Sequence, residues 1–481
     1  MPIDRARPPD DDPAEGYLTG IDYTFDYHHR TNPQYMRLAL LRSGLQPPDI
    51  ATACELGFGQ GVSLAFHAAA GGAHWIGTDI NERHLRHARD LVAAAGTSAT
   101  LYGDPFAEFA RRDDLPDVDF IVLHGVWSWV SDRNREALVD FVSRRLRPGG
   151  VLYVSYNTLP GAAAFGPIRH LVSEHARRAP GGGGLADRID RAFAFASALL
   201  EANPPYVQDT PRVRQALEGL LGSDHRYLAH EYFNGEWRPM YFAEVASRLG
   251  AAGLVFANGG YGSPFQSLLI EPAQQELLDG MEDPVLRETV IDFLVNRQFR
   301  WDYWMKPPAP TARDAARAIR DERFILATDQ PRLPFEVRAP LKLRGRGPDD
   351  AHVTAVLDLL SDNRPRSLGD IEAALAGTAN LAAIVDVTVL LLNHGLVAAA
   401  QTVDRAERAR PACDRINAHI LAQADRGGDI RCLASPVLGG GFEVPLAEQR
   451  LLRARRSGCP PEGTLAGLDR RLPVLESLLI A

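Results

Sequence analysis

Within Glu55-Leu56-Gly57-Phe58-Gly59-Gln60-Gly61 the chain sets an acid before three alternating glycines, where an apolar run gives way to "GVSLAFHAAA". Glycines at such a strand-to-helix turn permit a left-handed backbone and let a ligand approach where any Cβ would stand in the way. A dinucleotide fold asks for G-x-G-x-x-G, with a pyrophosphate on the helix N-terminus. Here the third glycine comes one residue early and Val62 fills the expected place. Two further acids close later apolar runs. Asp79, followed by Ile80, ends "AHWIGTDI", where a carboxylate can accept both ribose hydroxyls. Asp104 ends "SATLYGDP", where an acid can reach an exocyclic adenine amine. Glu55 stands close to where the amino group of an amino-acid tail would sit. Helix capping accounts for Asp79 or Asp104 taken singly, but the set suits a nucleoside with a zwitterionic tail and no phosphate. The expected cofactor is S-adenosylmethionine, held by Glu55, Gly57, Gly59, Gly61, Asp79, Ile80, Asp104 and His124, with no metal.

The second chemical cluster is "HGVWSWV", which places His124, Trp127 and Trp129 directly after the apolar run "VDFIVL". Aromatic faces pack against a cation and can wall a dry channel of fixed width. One indole is expected to line the channel and the other to pack in the core. Trp127, nearer the strand end, is expected in the channel. His124 could take a proton from an acceptor, hold the cofactor tail or satisfy the turn. Tyr156 and Asn157 end the next apolar run and are expected to face the same cleft. The catalytic candidates are therefore His124, Trp127 and Tyr156. The segment "YTFDYHHRTNPQY" gathers Tyr23, Tyr27, His28, His29, Arg30 and Tyr35. It is read either as a cap over the pocket or as a packed loop, and Arg297 and Arg300 as ion-pair anchors.

These residues need a scaffold that brings strand ends together. From residue 48 short apolar runs alternate with helical patterns, giving five strands in a doubly wound α/β sheet whose ligands sit at the carboxyl ends. A Rossmann-like cofactor domain is expected over 1–160 and 225–273, with "FQSLLIEP" as one of its strands. A helical insertion, serving as lid or dimerisation element, is expected over 161–224. A helical middle domain over 274–345 leads through the linker "RGRGPDD" into a C-terminal domain, 346–481. There the span 351–399 has the three-helix-plus-hairpin rhythm of a winged helix. Its third helix lacks Arg and Lys, so packing or protein contact is expected rather than DNA docking. Every proposed cofactor contact precedes residue 130, so removal of 346–481 is expected to leave cofactor binding intact.

The motifs "ELGFGQG", "GTDIN", "DFIVLHGVWSWV" and "LRPGGVLYVSYNTLPG" resemble the class I methyltransferases that carry a methyltransferase regulatory domain. "DHRYLAHEYFN", "YFAEVASRLGAAGL" and "DFLVNRQFR" are similar to that group's second region. The resemblance spans most of residues 20–305 and includes enzymes similar to rickettsial lysine methyltransferases of outer-membrane protein. It implies the fold and the cofactor; the acceptor does not transfer with it. The Asn/Asp-Pro-Pro-Tyr signature common in amino-group methyltransferases is missing after "VDFIVL", which argues against methylation of bases or exocyclic amides.

Length and composition agree with this reading. The 481 residues, 45% hydrophobic and 23% charged, suit several soluble domains. A net charge of −9 gives no bulk attraction to nucleic acid. No apolar run is long enough to span a membrane and the N-terminus lacks a signal-peptide core, so the cytoplasm is the expected location. Cys54, Cys413, Cys432 and Cys459 lack metal spacing and read as buried thiols. Lysine occurs only at 306 and 342, consistent with compositional bias or with a lysine-modifying enzyme that spares itself. The expected function is S-adenosylmethionine-dependent methylation of a protein or peptide, lysine nitrogen first, by a chain that could form a homodimer. The alternatives are O-, N- or C-methylation of a small or peptide-derived natural product, and a non-catalytic module that binds the cofactor.

Overall fold

The computed structural model describes residues 17–178, 183–220, 222–260, 270–329, 350–456 and 468–479. After α1 (Pro33–Arg42) come β1 (Thr52–Leu56), α2 (Val62–Ala70), β2 (His74–Thr78), α3 (Glu82–Ala95), β3 (Ala99–Tyr102), α4 (Phe106–Phe109), β4 (Val118–Leu123), α5 (Asp132–Arg145) and β5 (Leu146–Asn157). The five strands run parallel in the order β3-β2-β1-β4-β5. β4 is buried at every position, as expected of a central parallel strand covered on both faces. The α/β sheet read from the sequence is present.

The helical insertion contains α6 (Gly166–Arg178), α7 (Leu185–Glu201), α8 (Pro205–Asp209) and α9 (Pro211–Leu220), and it runs on into α10 (His225–Tyr232). Ile168, Val172, Ile189, Phe193, Leu228 and Tyr232 share one hydrophobic core. The boundary at 224 is therefore too early, because the apolar face of α10 packs with the insertion. Next come α11 (Phe242–Ala251) and β6 (Val255–Asn258).

The sheet is completed by a strand that the sequence reading placed in a helical middle domain. β7 (Phe299–Met305) pairs antiparallel with β5 and with β6, giving the order β3-β2-β1-β4-β5-β7-β6. Its sequence, FRWDYWM, looks unfit for a sheet interior because of Arg300 and Asp302. Both side chains are fully buried, and Arg300 bonds Asp302, Asp292 and Glu288 at 2.8 to 3.1 Å. Mutual neutralisation and hydrogen bonding allow these charges inside. The anchoring role expected of Arg297 fits its 2.7 Å pair with Asp292. The run "FQSLLIEP" and the linker "RGRGPDD" fall mostly outside the described residues, as does Cys459; Cys54, Cys413 and Cys432 are buried and free.

Toward the C-terminus three helices, Asp350–Leu360, Leu368–Ala374 and Leu381–Asn393, follow in the expected order. The hairpin of a winged helix does not follow them. β8 (Arg323–Leu326) pairs with β9 (Arg366–Ser367) on one side and β10 (Val397–Ala400) on the other. The strand before the first helix thus occupies the place of the wing, and the chain passes from β10 into the helix Val403–Gln423. That helix and the hairpin β11 (Cys432–Ser435) and β12 (Gly440–Glu443) pack on α2 and α3. All nine residues of α2 are buried, which explains why VSLAFHAAA is apolar around most of its circumference. Gln401 donates to the Ala70 carbonyl at 3.0 Å and Arg415 to the Ala95 carbonyl at 2.9 Å. The C-terminal region thereby satisfies acceptors that α2 and α3 leave open at their last turns. Among the described residues no helix is long and apolar enough to cross a membrane.

Candidate active site

The carboxyl ends of β1, β2, β3 and β4 open onto one cavity of about 1190 Å³, part of it continuous with solvent. Glu55, Gly57, Gly59, Gly61, Asp79, Ile80, Asp104 and His124 all line it. Gly57, Gly59 and Gly61 take φ of +75°, +55° and +72°. A Cβ at Gly57 would stand 2.7 Å from Val126 Cγ2, and one at Gly61 would stand 2.3 Å from Ala88 Cβ. The turn therefore requires glycine for its conformation and for the space around it.

Asp79 is held from three sides. Gly59 N–H donates to Oδ2 at 2.8 Å, Asn81 N–H donates to Oδ1 at 2.9 Å, and His84 Nδ1 lies 3.2 Å from Oδ1. A carboxylate offers about four lone-pair sites, so room remains on Oδ2 for one further donor. Asp104 pairs with Arg112 at 2.9 Å, and the guanidinium lies 4.2 Å above the Tyr102 ring. Glu55 is buried, and its Oε2 has no hydrogen-bond partner among the described residues. Burial, assisted by the nearby Asp79 charge, pushes its carboxyl up to about 8.

His124 faces the cavity, with Tyr153 Oη 2.9 Å and Ser155 Oγ 3.3 Å from its Nδ1. The His28 ring lies 4.1 Å away, centre to centre. Burial first, then the neighbouring His28, Arg30 and His29, hold the His124 imidazole well below its ordinary range. A ring kept neutral in this way is a poor general base and a good fixed hydrogen-bonding surface.

Two of the catalytic candidates lie elsewhere. Trp127 is fully buried in the core on the α5 side of the sheet, whereas Trp129 lines the cavity. On a strand, residues two apart would share a face; here Gly125 at φ +64° turns the chain and Trp129 N–H bonds the Val126 carbonyl at 2.9 Å, which sends the two indoles apart. Tyr156 is also buried and donates to Asp302 at 2.7 Å on the other face of β5. Its neighbours Tyr153 and Ser155 are the β5 residues that meet His124. Asn157 accepts from Trp237 at 3.1 Å, outside the cavity lining.

The N-terminal segment closes the cavity from above. His28 N–H bonds Ser63 Oγ at 2.9 Å, Leu18 N–H bonds Asn234 Oδ1 at 3.0 Å, and Tyr23 N–H bonds His84 Nε2 at 3.1 Å. Tyr17, Tyr23, Asp26 and His28 line the cavity. Tyr27 instead lies 3.2 Å from His67, and Arg30 sits 4.0 Å over Trp301. Sequence reasoning did not single out His84, Tyr153, His230, Glu231 or Asn234. The last three stand on or just after α10, and only the packing of the insertion brings them to the strand ends.

A parallel sheet closed by an antiparallel seventh strand, with a glycine turn and acids at successive strand ends, defines the class I methyltransferase architecture. Residues 53–150 match the family described as "Methyltransferase domain", and residues 224–306 match "Predicted methyltransferase regulatory domain". An uncharacterized protein of Synechocystis sp. is 31% identical over 449 residues, covering 92% of this chain and 88% of that one. An uncharacterized protein of Rickettsia prowazekii is 29% identical over 311 residues, covering 61% of this chain and 52% of its own length. Among solved structures, PKMT2 from Rickettsia typhi in complex with AdoHcy has a TM-score of 0.66 at 18% identity, covering 94% of this chain and 91% of that one. The chain belongs to the family of S-adenosylmethionine-dependent methyltransferases that carry a methyltransferase regulatory domain. In this fold the regulatory segment supplies α10, β6 and β7, so it is built into the sheet and into the cavity wall.

Proposed function

We propose that the protein transfers a methyl group from S-adenosylmethionine to a polypeptide, with a lysine side-chain nitrogen as acceptor. The observation that carries the cofactor assignment is the buried Glu55 carboxylate, whose Oε2 lacks a partner beside a glycine turn that admits no Cβ at Gly57 or Gly61. Such an acid calls for a cationic ligand group, and the ammonium of the cofactor tail supplies one. Asp79 Oδ2 would accept a ribose hydroxyl, while Ile80, Asp104 and Phe106 would surround the base. When bound, the cofactor supplies a methyl carbon activated by its sulfonium.

The chain's own residues then have to position the acceptor and keep water out. Trp129, Tyr23 and the His28–His124 pair form the remaining walls. The N-terminal segment shields the site, and the neutral imidazoles add no charge that would repel a cationic cofactor. Support for a protein acceptor comes from the likeness in fold to PKMT2 and from the bulk of the covering domains.

The test is mass spectrometry of a polypeptide mixture and a cell extract incubated with the protein and methyl-labelled cofactor. Label on lysine nitrogen of polypeptides is the expected result. Label confined to small molecules would replace the acceptor class, and no label anywhere would reduce the protein to a cofactor-binding module.

A further inference from the structure

Two carboxylates in the cavity lining, the buried Glu55 and the half-buried Glu231, make no side-chain hydrogen bond among the described residues. The cofactor tail has use for one. Glu55 rises from β1 beside the glycine turn and is accounted for there. Glu231 comes from α10 and shares the cavity lining with Tyr23, Trp129 and Asn234. The remaining acid on that side, Asp26, is exposed to solvent.

We propose that Glu231 holds the ammonium of a primary alkylamine acceptor and takes one proton from it before methyl transfer. The inference rests on the methyltransferase reading above and names the acceptor's chemistry. Burial pushes the Glu231 carboxyl up to about 7, and the nearby Arg169 lowers it only in part. Arg169 is turned toward the backbone carbonyls of Glu231 and Asn234, with its guanidinium 5.7 Å from the Trp129 ring centre and 5.4 Å from that of Trp237. A cation reaching Glu231 from the cavity would also meet the aromatic faces of Tyr23 and Trp129. A carboxylate or phenolate acceptor would meet like charge there.

The step balances. One proton passes from the alkylammonium nitrogen to a Glu231 carboxylate oxygen, leaving a neutral amine with a lone pair. That lone pair forms the new nitrogen–carbon bond while the carbon–sulfur pair stays on sulfur. The positive charge is then on the methylated nitrogen, and Glu231 returns its proton to solvent.

The experiment uses the full chain saturated with S-adenosylhomocysteine and follows tryptophan fluorescence during titration with n-butylamine, with 1-butanol as the uncharged probe of equal size. Butylamine should bind about tenfold more tightly than butanol, as a charged hydrogen bond in a shielded site allows. The preference should disappear in Glu231→Gln, return in part in Glu231→Asp, and leave S-adenosylhomocysteine affinity within about twofold, since other residues hold the cofactor. Equal binding of the two probes, no binding of either, or an unchanged preference in Glu231→Gln would overturn the inference. Failure of wild-type protein to bind S-adenosylhomocysteine would instead overturn the cofactor reading beneath it. Butylamine selectivity without label on polypeptides would sink only the protein acceptor.

Discussion

His84 Nδ1 lies 3.2 Å from Asp79 Oδ1, while its Nε2 accepts the backbone N–H of Tyr23 at 3.1 Å. One buried imidazole thus orients the cofactor-side acid and ties down the segment over the cavity. The acceptor role of Nε2 places the proton on Nδ1, where it can donate to Asp79. Replacing His84 by Ala should weaken S-adenosylhomocysteine binding about tenfold, although His84 lies outside the cavity lining, because it removes one of the donors on Asp79 Oδ1 and the acceptor of the Tyr23 amide together. Calorimetry checks this; unchanged affinity would mean that the segment and Asp79 hold their places without it.

The two tryptophans should separate cleanly. Trp127→Ala should cost about 3–5 kcal/mol of stability, as for a buried aromatic. Trp129→Ala should stay within about 1 kcal/mol of wild type in denaturant unfolding, since its ring is partly exposed, yet lose turnover. The reverse pattern would restore Trp127 as the channel residue.

Glu55 carries a pH prediction with a definite sign. Its ordinary value is 4.5 and its folded value about 8, so between these limits the folded protein holds a proton that the unfolded chain has lost. Stability of the free protein should therefore fall as pH rises through that window, and Glu55→Gln should flatten this part of the curve. If the cofactor ammonium binds ionised Glu55, binding near neutral pH should release about one proton, as linkage requires. Calorimetry in buffers of different ionisation enthalpy measures it, and an identical release in Glu55→Gln would exclude this carboxyl as its source.

Removal of residues 346–481 should not leave a working cofactor domain, contrary to the expectation from contact positions alone. The cut would uncover α2 and release the Ala70 and Ala95 carbonyls. The truncated chain should aggregate or unfold without cooperativity. A soluble fragment with wild-type S-adenosylhomocysteine affinity would refute this.

The strand-end side of the cavity was legible because each element announces itself locally: Glu55, Asp79 and Asp104 each end an apolar run, and glycines mark the turn after β1. The side built by α10 was not. Glu231 and Asn234 reach the cavity only through tertiary packing of the insertion core. Parity along β5 says that Tyr153 and Tyr156 face opposite ways, but not which of them meets His124. β7 escaped notice because Arg300 and Asp302 look like surface residues until their mutual pairing is seen. α2 carried a signal that was passed over: a helix apolar around most of its surface implies a cover on its outer side, which the C-terminal region supplies.

The pairing of Tyr153 with Tyr303 also sets a timetable. β5 emerges from the ribosome with one edge open, and its partner follows only after the whole insertion has been made, a wait of about ten seconds or more at ordinary synthesis rates. During that interval β5 presents an unpaired edge of buried-type residues, a template for intermolecular association. The insertion, with a hydrophobic core of its own, can gather while the edge waits. A strong upstream promoter or slow codons between 160 and 300 should therefore raise the yield of inclusion bodies, and cooler expression should lower it.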